Sequence, residues 1–84
     1  MNAIEHVLLA VTAANDGDGA AANSHIDRAQ RHAHLTARRE RQIVEIAALV
    51  IAGKRERAAG LTLEHTAKFP GDAELLARVA VAAR

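Results

Sequence analysis

Between Ile43 and Ile51 apolar side chains fall on nearly every side of a helical wheel, since Ile43, Val44, Ile46, Ala47, Leu49, Val50 and Ile51 all lie within nine residues. A helix that is apolar all round is buried all round, so the pattern predicts a central helix enclosed by others. The flanking segments are amphipathic. Over residues 20–34 Ala22, Ile26, Ala29 and Ala33 recur at three- and four-residue spacing, while Asp27, Arg28, Arg31 and His32 fall mostly elsewhere on the wheel. Nowhere do β-branched and polar residues alternate over four or more positions, so no strand is expected.

Punctuation divides the pattern into five helices. Asn2 is placed to cap the first, with Glu5 three residues on, and this helix runs to about Ala14. Asn15-Asp16-Gly17-Asp18-Gly19 breaks the chain, because Gly tolerates positive φ and Asn and Asp favour local side-chain hydrogen bonds. A second helix follows over residues 20–34. Thr36 is expected to cap the third, which Gly53 closes. The fourth runs from about Arg55 to Lys68 and stops at Phe69-Pro70-Gly71; Gly60 inside it predicts a close helix contact. Asp72 is expected to cap a fifth helix, from Ala73 to about Ala83, on which Leu75, Leu76, Val79 and Val81 are apolar.

Composition narrows the kind of core. Of 84 residues 21 are Ala and only Phe69 is aromatic, so the helices must approach closely to bury enough apolar surface. Cysteine is absent, which removes disulfides, thiolate metal sites and thiol nucleophiles, and leans towards the cytosol. The net charge of +1 provides no global attraction to nucleic acid or anionic membranes. Locally, five Arg and one acid lie between Arg28 and Arg41, whereas residues 1–27 hold four acids and no Lys or Arg. The start lacks the basic n-region of a secretory signal, and the nearly apolar run from Ile43 to Ala52 is far shorter than the roughly 20 residues of a membrane span. A soluble, cytoplasmic protein is expected.

Hairpins joined at Gly17–Gly19 and at Gly53 give a spacing of 34 to 36 residues, the period of a helical-hairpin solenoid. Leu9, Ala10, Gly17, Ala22, Ile26 and Ala29 resemble the small and apolar pattern of a tetratricopeptide repeat, and Gly53, Ala58 and Pro70 match it in the second unit. Thr62 and His65 depart from it, and His6, Ala13, Ile43 and Val50 fill its aromatic positions. A longer run is similar to the bacterial relatives of tetratricopeptide repeat protein 38, which carry LT-x-RE, AGR-x-x-x-A and EH-x-x-x-x-P-x-DA. The corresponding residues here are Leu35-Thr36-Ala37-Arg38-Arg39-Glu40, Ala52-Gly53-Lys54 with Ala58, and Glu64-His65 with Pro70, Asp72 and Ala73. The resemblance spans roughly residues 4–80. It implies an all-α fold of two antiparallel hairpins stacked as tetratricopeptide-like repeats, units about 3–35 and 37–70, with a capping helix over 72–83. It also implies a binding or scaffolding protein, and brings no catalytic residues with it.

Candidate chemistry is sparse. His25 and His32 share a face of the second helix, but His32 and His34 point apart, and a metal site wants three or four convergent ligands. Neither metal nor cofactor is expected. His65 beside Glu64 reads as a packing or hydrogen-bonding residue, because adjacent helix residues do not face each other. Glu45 needs a partner if buried, an Arg or a helix-end amide. Ser24 has no oriented His and carboxylate, and the Gly-Asp-Gly turn lacks the GK[ST] that cradles phosphate.

The function expected is therefore non-catalytic protein association. Two repeats cannot cover the first and third helices on every side, and a stable solenoid normally needs at least three. Ile4, Val7, Leu8, Val11, Val44 and Ile51 would meet a protein partner, in the first instance a second copy forming a homodimer. The alternative is nucleic-acid binding through the Arg28–Arg41 segment, chiefly Arg38, Arg39 and Arg41, although no Tyr or Trp is available to stack on bases.

Overall fold

The protein is described by a computed structural model covering residues 2–33 and 37–81. Its helices are α1 (Ala3–Asn15), α2 (Gly19–Ala33), α3 (Arg38–Ile51), α4 (Arg55–Lys68) and α5 (Ala73–Val81), with one 3-10 turn at Pro70–Asp72. Among the described residues there is no strand, and no helix is long and apolar enough to cross a membrane. The fold is all-α.

The two tight turns are built identically. Gly17 and Gly53 adopt φ of 79° and 80°, in the region where only Gly avoids a Cβ penalty. In the first, the Asp18 amide donates to Ala13 O at 2.8 Å and the Gly17 amide to Ala14 O at 3.1 Å; in the second, Lys54 donates to Leu49 O at 2.9 Å and Gly53 to Val50 O at 3.0 Å. Both are Schellman caps, which satisfy carbonyls left open at a helix end and turn the chain back. Hence α1 packs on α2, and α3 on α4.

Helix starts agree less with expectation. Asn2 Oδ1 accepts from the Glu5 amide at 2.9 Å, as its position predicts. Asp18 does the same for α2, accepting from the Ala21 amide at 3.0 Å. Ala37 precedes α3 and makes no side-chain cap; Thr36 lies outside the described residues. Asp72 does not cap α5, because it sits within the 3-10 turn and its carboxylate is engaged by Arg39 and His65. Gly60 marks no close contact. It is exposed, and a Cβ built there meets nothing within 4 Å.

The enclosed helix is α3. It touches α1, α2, α4 and α5, which bury Ile43, Val44, Ile46, Ala47 and Val50. Glu45 points to solvent and needs no buried partner. The core continues through Ala3, Val7, Ala10 and Val11 of α1, Ile26, Ala29 and Ala33 of α2, and Leu76 and Val79 of α5. Six of the fifteen residues in this core are Ala and five are Val.

Helix α5 departs from a repeat stack. It packs against α3 and α1, while its contact with its sequence neighbour α4 is marginal. In a solenoid each unit touches only adjacent units, so a third-unit helix would not reach α1. The radius of gyration is 11.4 Å, no larger than the roughly 12 Å of a closed globule of this length.

Candidate functional site

Three places bring functional groups together: a buried polar network, a row of imidazoles and an apolar groove. The network joins α3, α4 and the 3-10 turn. His65 is fully buried; its Nε2 lies 2.7 Å from Asp72 Oδ2, and its Nδ1 lies 2.8 Å from Gln42 Oε1. Arg39 Nε donates to Asp72 Oδ2 at 2.8 Å and its Nη2 to Oδ1, a bidentate clamp on a carboxylate 33 residues away.

These contacts set the charges. The Arg39 hydrogen bond holds the Asp72 carboxyl below its ordinary value of 3.8, and His65 adds to this; together they outweigh burial, which acts the other way. The same hydrogen bond raises the Arg39 guanidinium. Both ring nitrogens of His65 are occupied and the ring has no exposed surface, so no imidazole lone pair faces a substrate. The network is a tether. It fixes the turn to α3 and α4 and so sets the direction in which α5 leaves. His65 is thus a hydrogen-bonding residue between elements, and its carboxylate partner is Asp72.

The imidazole row lies where α1 crosses α2. His6, buried on α1, stacks on His32 at 5.4 Å between ring centres and 21° between planes, and lies 6.1 Å from His25 at 30°. The shared face of His25 and His32 predicted by their spacing therefore exists, and His6 stands beside both rings. Seven residues of helix separate His25 and His32 by roughly 10 Å along the axis, so the three rings form a line. Among the described residues no cluster of three or more His, Asp or Glu is arranged to hold a metal. His34 lies outside the described residues.

Of the residues expected to meet a partner, Val7, Val11 and Val44 are buried within the chain, and Ile4, Leu8 and Ile51 are half-buried. Helices α1 and α3 cover each other and α5 lies across both, so the apolar surface assigned to a partner is largely taken up internally. Leu9 and Val81 beside them are exposed, but the most exposed large apolar side chain among the described residues, Leu63, lies elsewhere. A groove of about 630 Å³ runs between α4 and α5, floored by Ile46 and Val50 and walled by Ala59, Leu63, Leu76 and Ala77. Leu63 on its lip is 73% exposed.

The basic segment is partly committed as well. Arg39 is clamped on Asp72, and Arg31 pairs with Asp27 at 2.6 Å on the surface of α2. Arg38 and Arg41 are exposed. Of the three Arg expected to contact phosphate, one is thus engaged by a carboxylate of the same chain, although its side chain remains 41% exposed.

Comparison with family models, with curated proteins and with solved structures finds no match to this chain.

Proposed function

We propose that this chain is a non-catalytic protein-association module whose docking face is the groove between α4 and α5, and that its partner is a second copy. The groove carries the reading: it is an apolar, open trough walled largely by small residues, a shape that admits a helix at close range. The same chain supplies the matching knob. Leu63 stands exposed on the groove lip, so two copies related by a twofold axis would each place Leu63 in the other's groove, as isologous interfaces require. A net charge of +1 offers little repulsion between copies. A scaffold of tetratricopeptide type is the corresponding family reading, supported by the motif residues and by two matching turns 36 positions apart.

Sedimentation velocity over a concentration series tests this. A concentration-dependent dimer that L63E converts to a folded monomer is expected, because a charge at an exposed lip leaves the fold intact but cannot enter an apolar trough. A monomer at every concentration, or a dimer indifferent to L63E, overturns the proposal.

A further inference from the structure

The imidazole row has no part in the docking face, yet it occupies the most extensive helix contact in the fold, α1 against α2. Its centre, His6, is 7% exposed and has the rings of His32 and His25 beside it. The Nδ1 atoms of His6 and His25 are buried and have no hydrogen-bond partner. For a neutral imidazole this is tolerable, since Nδ1 can be the lone-pair nitrogen and Nε2 carry the hydrogen. For an imidazolium it is not, because both nitrogens then bear hydrogens and a buried N–H without an acceptor is costly.

We propose that His25, His6 and His32 form an acid-sensitive latch between α1 and α2: neutral, His6 packs buried between the half-buried His25 and the exposed His32, and protonation of His6 forces the two helices apart.

Charge reinforces the geometry. Burial first, and then the positive charges of His32, Arg28, His25 and the amino terminus, hold His6 below its ordinary 6.5. All of those side-chain charges come from α2; no charged side chain of α3 or α5, the other helices packed on α1, is among the groups that act on it. Among the described residues, no acidic side chain is among the groups that act on it. The sign follows from linkage. Below about pH 6.5 the unfolded chain takes up a proton at His6 that the folded chain resists, so stability is full above that value and falls as pH drops towards the lowered folded value. Separation of the two helices would uncover Val7, Ala10, Ile26 and Ala29, the apolar side chains that α1 and α2 contribute to the core.

The test compares urea unfolding of the wild type and H6F at about pH 7.5 and about pH 5.5, a window spanning the ordinary histidine range. Phe keeps a ring in the row and removes its central titration. The wild-type midpoint should fall on acidification, and the fall should be less than half as large in H6F. Equal falls in the two proteins overturn the proposal. Ring ¹⁵N spectra of the wild type provide an independent reading should H6F not fold. Expected is a His6 that stays neutral, with Nδ1 unprotonated, to lower pH than His in an unfolded peptide, and whose protonation coincides with loss of the α1–α2 amide signals. A His6 charged at neutral pH, or one that titrates with those signals unchanged, refutes the latch.

Discussion

Asp72 illustrates how much one side chain can decide. Its two oxygens satisfy His65 and Arg39 together, so replacement by Ala leaves Nε2 of a fully buried imidazole, and both donors of the Arg39 clamp, without their acceptor. D72A should lose about 1–3 kcal/mol of stability, the range for a buried polar group deprived of its partner, read as a lower urea midpoint. Its pH dependence is distinct from that of His6. Because the folded carboxyl is held below 3.8, its contribution is complete above that value and disappears as pH falls through the lower folded value. The wild type should therefore show an acid loss below about pH 4 that D72A lacks. Gly60 acts in the opposite sense: G60A should raise stability by up to about 1 kcal/mol, since the added Cβ meets nothing and Ala is the better helix former. An unchanged or lower melting temperature would contradict this. The cost of a Gly inside a helix and a hydrogen-bonding His65 were legible locally; the partner of Asp72 was not. The tether joins positions 33 apart, and the pattern of residues 69–73 reads equally well as a helix cap until Arg39 is seen across the gap.

At the scale of elements, periodicity and punctuation carried most of the information. The wheel of α3 implied enclosure and four helices provide it; the Gly at 17 and 53 marked turns that are indeed closed by left-handed residues. Where α5 goes was not written in any window, because the angle of its departure depends on how the 3-10 turn is held. One outcome of that angle concerns α4, whose neighbours are α3 and the turn and whose buried side chains are only Ala58 and His65. Helices with few buried contacts open below the global unfolding free energy. Native-state hydrogen exchange should find the amides of Leu61 to Glu64 less protected than those of Ile46 to Val50; equal protection would show that α4 is bound more firmly than its contacts indicate.

For the whole molecule, the expectation was that two repeats cannot cover α1 and α3 on every side; in the structure the two helices pack on each other and α5 lies against both. Leu76 and Val79 of α5 supply that cover from within the chain. A stacked array melts from whichever end is weaker, because its terminal units have a neighbour on one side only. Here α1 meets α2, α2 meets α3, α3 meets α5, and α5 returns to α1. This is a closed cycle of interfaces with no terminal member. Loss of any one of these helices opens two links of the circuit, so the four should be lost together, with calorimetric and van't Hoff enthalpies that agree once α4 has been allowed its separate opening.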